Sequence, residues 1–315
     1  MDPALQLARR VEAGDLVLID GGMGTEIEAR QVEMAEHAWS AVANVEHQGL
    51  VQEIHQDFLR AGAEVIIANT FSALRPGLEA AGYGERWEEI NRAAVAAALQ
   101  AREAARTSAV VAGSIGVWPI VSDLMTFRSR GLSEDRVEEL CREHAVLLAD
   151  AGVDLIALEM VGPGGYAEPA VAGARAAGLP VWLGVSVLHL NEDGSTQPGS
   201  VADSADRAAL EAIVSPFTTE QVAAVHVMHT NLAETVPALD VLRARWDGPL
   251  GAYPHMGRFV PPHWEIHDIS PDSFVEAARQ LVEHGAQLVG GCCGIRPAHI
   301  AALRDGLLGG TRVAH

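Results

Sequence analysis

Two cysteines stand side by side near the end of this 315-residue chain, in the run Gly290-Gly291-Cys292-Cys293-Gly294. Adjacent residues of a regular strand point to opposite faces, so both thiols reach one centre only where the backbone leaves strand geometry, which flanking glycines permit. Two thiolates with one further N or S ligand make an open zinc site whose fourth position takes water or substrate. The plain alternatives are two inert buried cysteines or a vicinal disulfide. The remaining cysteine, Cys141, shares a helical spacing with Val137, His144 and Leu148 and is expected in the core.

Chemistry at one point needs elements that carry it there. Eight short, branched, mostly uncharged runs read as strands: 16–20, 64–69, 109–114, 154–159, 181–187, 223–229, 250–253 and 287–291. They lack period-2 alternation, as strands buried on both faces do. Helical patterns lie between them at 51–60, 86–106, 134–151, 232–245 and 271–284, two of them opened by a capping serine, Ser133 and Ser270. Eight β-then-α units without a composition break predict an α/β fold, one (β/α)8 TIM barrel spanning 1–315 as a single domain. Segments 75–83, 118–131 and 189–204, rich in Gly, Pro and polar residues, are expected as long loops over the active face.

In such barrels chemistry gathers at the C-terminal ends of the strands. Those ends read Asp20-Gly21-Gly22, Asn69-Thr70-Phe71, Gly113-Ser114-Ile115-Gly116, Glu159-Met160, Ser186, His229-Thr230-Asn231, Tyr253-Pro254-His255, and then the cysteine pair. A carboxylate such as Glu159 suits an ammonium group, and backbone amides of a glycine turn suit a carboxylate. Asp20 equally suits a bracing role through backbone hydrogen bonds, whereas for Glu159 ligand binding is the favoured reading over bracing.

The motifs DGGMGTE at 20–26, Trp39-Ser40, AGAEVIIANTF at 61–71, GSIG at 113–116, AGVDLIALE at 151–159 and GGCCGIRPAHI at 290–300 follow one another over nearly the whole chain. In this the chain resembles the homocysteine S-methyltransferase family, zinc-dependent barrels that methylate a thiol. The resemblance implies a Zn2+ ion held by three cysteines, the first at the end of the sixth strand. Here that position is His229, which gives the ligand set His229, Cys292 and Cys293, with His255 as the rival third ligand. Zinc with three thiolates carries a charge of −1, and with two thiolates and a neutral imidazole it carries 0. The neutral site is expected to acidify a bound thiol more strongly and leave its sulfur less nucleophilic. The resemblance also places the acceptor's amino-acid part at Asp20, Gly21, Gly22 and Glu159. Asp20 and Glu159 are the candidate catalytic carboxylates, Trp39 a pocket wall, and Asn69 and His255 further candidate substrate contacts. Met160 stands where the family commonly has threonine or another polar residue, and His255 where it usually has asparagine.

Composition narrows the partners. With 42 acidic and 22 basic residues, a net charge of −20 and no basic patch, a nucleic-acid partner is excluded. The longest charge-free stretch, 109–122, is too short to span a bilayer, and the first residues lack the apolar core of a leader, so a cytoplasmic enzyme is expected. Folate or cobalamin modules are not expected, since the sequence ends soon after its last helical pattern. A small onium donor is expected instead, S-methylmethionine, S-adenosylmethionine or a betaine, its positive charge held by aromatic faces or carboxylates. The acceptor is homocysteine or a related thiol, as in methionine biosynthesis. The alternatives are a different thiol or selenol acceptor, or a zinc-free barrel that binds an amino-acid-like ligand without turnover. His55 and His144 are expected to be ordinary helix residues, and His189, His263 and His267 to lie in solvent-exposed loops.

Overall fold

The computed structural model describes residues 2–193 and 195–309. Eight parallel strands appear in the expected places: β1 (Val17–Leu18), β2 (Val65–Ile67), β3 (Val110–Gly116), β4 (Leu155–Val161), β5 (Val181–Val185), β6 (Ala224–Asn231), β7 (Leu250–His255) and β8 (Ala286–Val289). Each pairs with the next in chain order from β2 to β8. β8 then pairs with β1 through Val17↔Leu288 and Leu18↔Val289, and a bridge from Ile19 to Val65 brings β1 onto β2. The result is a (β/α)8 barrel.

The local chemistry explains the elements. All seven residues of β3 are buried, because the barrel interior packs one face and the surrounding helices the other. The helix Glu134–Ala151 opens at Ser133, whose Oγ accepts from the Arg136 amide at 3.3 Å, and carries Glu134 and Asp135 in its first turn. It ends at Gly152, which takes φ 105° and returns its amide to the Leu148 and Ala149 carbonyls. The chain then enters β4 through Asp154, whose Oδ2 accepts from the Val111 amide at 2.7 Å and from Arg102 at 2.6 Å. Cys141 lies on this helix fully buried, its thiol pushed up to about 12 by burial, an inert core residue as expected. His55 and His144 are likewise buried, burial lowering each pKa to about 3, and His144 bonds Asn91 at 2.7 Å.

The three long segments depart from the expected open loops. Segment 75–83 contains the helix Arg75–Ala80, which Pro76 starts. Segment 118–131 begins inside the buried helix Val117–Val121. Segment 189–204, in which Gly194 lies outside the described residues, carries an antiparallel hairpin of Leu188–Leu190 with Thr196–Pro198. A second hairpin, Arg258–Val260 with His263–Glu265, follows β7. His189 and His263 therefore sit on strands. Each is tied to a carboxylate at 2.8 Å, His189 to the buried Asp206 and His263 to Glu28, whereas His267 is exposed beyond them. Among the described residues no helix is long and apolar enough to cross a membrane.

Replacing Gly152 with alanine places a Cβ at φ 105° and 3.3 Å from Leu99 Cδ1. A left-handed L-residue costs about 1–2 kcal/mol, so Gly152→Ala is expected to lower the unfolding free energy by that amount, read as a lower denaturant midpoint with an unchanged slope. An unchanged midpoint would show that this cap does not constrain the helix end.

Candidate active site

β4 and β6 both lose regular register as they reach the C-terminal face of the barrel, between Leu158 and Val161 and between Met228 and Asn231. Within those irregular stretches Met160 takes φ 57° and His229 φ 47°, a left-handed conformation that bulky residues rarely hold. The combination turns both side chains into one cavity and sets His229 against its neighbours. His229 Nε2 lies 2.7 Å from Glu159 Oε2, and His229 Nδ1 lies 3.2 Å from Cys292 Sγ. Cys292 Sγ is also 3.5 Å from Cys293 Sγ. The ring of Phe71 stacks on the His229 imidazole, centroids 4.9 Å apart.

The cysteine loop is held from both sides. The Cys292 amide donates to the Pro254 carbonyl at 2.7 Å, and the Met256 amide donates to the Cys293 carbonyl at 2.8 Å. Gly294 closes the turn at φ 85°, and its amide donates to Thr25 Oγ1 at 3.2 Å. Cys292 is thus the vertex that meets both other residues of the expected ligand set. Burial opposes a charge on His229, but the acceptors at its two nitrogens outweigh it, and the pKa rises to about 10. The rise comes first from Cys292 at Nδ1 and then from Glu159 at Nε2, and the Cys292 thiol is itself pushed up, first by its bond to Cys293 and then by burial.

The other expected site residues fall into two groups. His255 and Trp39 line the cavity; His255 Nε2 lies 3.1 Å from Asn231 Oδ1, its pKa lowered to about 3 by burial and by the neighbouring charge of His229. The second group braces the barrel. Asp20 is 1% exposed, accepts from the Ile67 amide at 2.8 Å and shares the Tyr253 hydroxyl, at 3.0 Å, with the Gly21 carbonyl at 2.9 Å. Burial raises its pKa well above the ordinary value. The Gly22 amide, expected to be free for a ligand carboxylate, donates to the Ile295 carbonyl at 2.9 Å, and a Cβ there would meet the Cys292 carbonyl at 2.8 Å. Asn69, expected at the substrate, is enclosed by Ser40 and Asn44: its Oδ1 accepts from Ser40 Oγ at 2.9 Å, and its Nδ2 donates to the Ser40 carbonyl at 3.0 Å and Asn44 Oδ1 at 2.8 Å. These hydrogen bonds occupy the groups that ligand contact would have used.

A sequence profile of the homocysteine S-methyltransferase family matches residues 17–307. The chain belongs to that family. It is 31% identical over 310 residues to the homocysteine S-methyltransferase of Escherichia coli (strain K12), covering 92% of this chain and 94% of that protein. It is also 26% identical over 327 residues to a selenocysteine methyltransferase of Astragalus bisulcatus, covering 93% and 92%. Among solved structures it is similar to the metallated form of the E. coli homocysteine methyltransferase MmuM, with a TM-score of 0.74 and 28% identity over 96% of this chain and 99% of that one. The chain is accordingly a methyltransferase enzyme of the homocysteine S-methyltransferase family.

Sequence reasoning missed the cavity itself. It measures about 400 Å³, and of the chain's 6 Trp, 3 Tyr and 6 Phe, three Trp and three Phe stand on its wall: Trp39, Phe71, Trp118, Phe127, Phe259 and Trp264. Phe259, on the second hairpin, is the hub, with ring centroids 6.0 Å from Trp39, 6.4 Å from Phe127 and 6.1 Å from Trp264. The available signal was that a chain so poor in aromatics spends them on the overhanging segments.

The raised pKa of Asp20 makes a stability prediction. A carboxyl raised on folding supplies stability that is complete below its unfolded pKa, about 3.9, and is lost as pH rises through the folded value. Wild-type stability is therefore expected to fall from about pH 4 upward by more than that of Asp20→Asn, which retains partners for Ile67 and Tyr253. Parallel pH profiles of the two proteins would contradict a protonated, bracing Asp20.

Proposed function

We propose that this enzyme transfers a methyl group from a small onium donor to a thiol at a zinc centre formed by Cys292, Cys293 and His229. The observation that carries the proposal is the contact of Cys292 Sγ with both His229 Nδ1 and Cys293 Sγ at the edge of an aromatic cavity. The donors fit zinc in kind. They also fit in spacing: a tetrahedral ion with Zn–S of about 2.3 Å sets two sulfurs roughly 3.8 Å apart and a sulfur and a nitrogen roughly 3.6 Å apart. The two observed contacts lie near those values. His255 Nε2 faces Asn231 Oδ1 at 3.1 Å, whereas His229 Nδ1 faces Cys292 Sγ, which favours His229 as the third ligand. The other His/Asp cluster among the described residues, His189 with Asp203 and Asp206, suits a metal less well. Asp203 caps the helix Ser204–Val214 and Asp206 accepts from the Ser200 amide, so both carboxylates already have structural work.

Zinc at this set would stabilise the acceptor's thiolate and hold its sulfur beside the donor. The chain's own residues do the rest. Glu159 accepts the Nε2–H of His229, which fixes the tautomer and leaves Nδ1 facing the sulfurs. The aromatic walls hold a methylated cation through their π faces, which suits an onium group that has few or no protons to donate, and they exclude water. The acceptor sulfur forms the new bond to the methyl carbon as the donor's bond to that carbon breaks. The electron pair leaves with the donor, which departs neutral, so no general acid is required.

Cys292→Ser is expected to lose stoichiometric zinc and to lower kcat/KM for methyl transfer at least a hundredfold, as metal analysis and product assay would read. Glu159→Gln is expected to weaken zinc about 10–100-fold, the usual cost of losing an outer-shell partner. Full metal content and activity in Cys292→Ser would remove the proposed centre. His229→Cys, which restores the three-thiolate set, is expected to keep zinc and change acceptor preference.

A further inference from the structure

Among the described residues, two side chains of the cavity wall hold a buried ring nitrogen without a hydrogen-bond partner: Nε1 of Trp39 and Nδ1 of His255. Such atoms are rare in folded proteins and mark places where a ligand, water or ion completes the bonding. The indole N–H of Trp39 only donates, so it has nothing to offer a cation. His255 is the opposite case. Asn231 Oδ1, 3.1 Å from His255 Nε2, only accepts, so Nε2 carries the ring proton and Nδ1 holds a bare lone pair. Burial, and then the neighbouring charge of His229, lowers the pKa to about 3, and the lone pair stays unprotonated at neutral pH. The ring is also held in place. Trp264 meets it edge to face with centroids 5.1 Å apart, and the backbone on either side is fastened to the metal loop: the Pro254 carbonyl accepts from the Cys292 amide at 2.7 Å, and the Met256 amide donates to the Cys293 carbonyl at 2.8 Å. His255 therefore stands at the sulfur-bearing end of the cavity.

We infer that His255 recognises the α-ammonium group of an amino-acid acceptor through the lone pair of its Nδ1. An ammonium brings several N–H donors and a full charge, and hydrogen bonds to ionised groups are the strong class. The other groups of the two substrates fit the lone pair less well. The thiol is taken by the metal, a carboxylate only accepts, and an onium head has few or no protons to give. In homocysteine the ammonium lies only a few bonds from the sulfur, which suits a partner next to the cysteine loop. Glu159 Oε1 is the competing partner, since it too is buried without a hydrogen bond; Glu159 is not on the cavity wall, however, and its Oε2 is held by His229. By resemblance the family usually has asparagine at this position, and asparagine Oδ1 is likewise an acceptor. The inference rests on the methyl-transfer reading for the identity of the acceptor and on the bonding of His255 for the contact.

Titration calorimetry of the zinc-loaded protein with L-methionine, the methylated form of homocysteine, and with γ-(methylthio)butyrate, which lacks only the ammonium, reads the contact without turnover. Wild type is expected to bind methionine at least about tenfold more tightly, the lower end of what a hydrogen bond to a charged group supplies. His255→Phe, which keeps a ring against Trp264, is expected to bring that ratio close to one with zinc content unchanged, and His255→Asn to keep most of it. No preference in wild type overturns the inference. A full preference in His255→Phe that Glu159→Gln abolishes also overturns it and assigns the ammonium to Glu159. Loss of zinc from His255→Phe overturns it by making His255 a metal ligand. Turnover separates the two readings. Homocysteine methylation by an onium donor without a methionine preference overturns the inference and leaves methyl transfer standing. A preference that depends on His255, with no turnover of homocysteine on S-methylmethionine, S-adenosylmethionine or betaine, removes the methyl-transfer reading and supports the contact.

Discussion

The site depends on how the barrel closes. β8 is the last strand in and must pair with β1 on one side and β7 on the other, and the residues that follow it are fastened to both. The Gly291 amide reaches the Asp20 carbonyl at 3.3 Å, the Cys292 amide the Pro254 carbonyl, and the Gly22 amide the Ile295 carbonyl. Two adjacent cysteines turn toward one centre because these bonds satisfy the backbone groups that strand pairing would otherwise use. The same seam occupies the Asp20 carbonyl and the Gly22 amide. Placement of the sulfurs follows from it.

A second constraint acts across the barrel mouth. Met160 and His229 are held in left-handed backbone at the ends of β4 and β6, each at a cost of order 1–3 kcal/mol, and such conformations persist only where surroundings over-determine them. For His229 the surroundings are plain: Glu159 on one nitrogen, Cys292 on the other, Phe71 on the ring face. For Met160 they are the apolar cavity it enters. Two of the left-handed residues on the cavity wall thus sit where β4 and β6 lose register.

The barrel was legible because its signals are local and repeated. Apolar runs of strand length, serine caps and a glycine after a helix each act within a few residues, and the helix Glu134–Ala151 was readable to its ends. Cys292, Cys293 and His229 stood out because few residue types bind soft metals, and the structure brings Cys292 into contact with the other two. The roles of Asp20 and Asn69 were not legible, since their partners, Tyr253 and the Ser40–Asn44 turn, lie elsewhere in sequence and a carboxylate looks alike as brace or ligand anchor. The aromatic cavity was the least legible part. Its rings come from separate overhanging segments, and a hairpin such as Arg258–Val260 with His263–Glu265, held in part by a cross-strand ion pair, shows weak period-2 patterning.

Charge accounting at the proposed centre links these features. Exchanging one of three thiolates for a neutral imidazole raises the charge of a zinc site from −1 to 0, which alone would make a bound thiol more acidic and less nucleophilic. Glu159 alters that result. A carboxylate hydrogen-bonded to the outer nitrogen of a metal-binding histidine increases the basicity of the inner one, so negative charge removed from the ligand shell returns one ring further out. The nucleophilicity of the sulfur is then largely preserved. A carboxylate in that position must stay buried against the imidazole, because solvent or a substrate cation competing for it would withdraw the compensation. In the proposed centre one carboxylate, Glu159, would carry this compensation through its Oε2, which lies 2.7 Å from His229 Nε2, while its Oε1 stays buried without a partner.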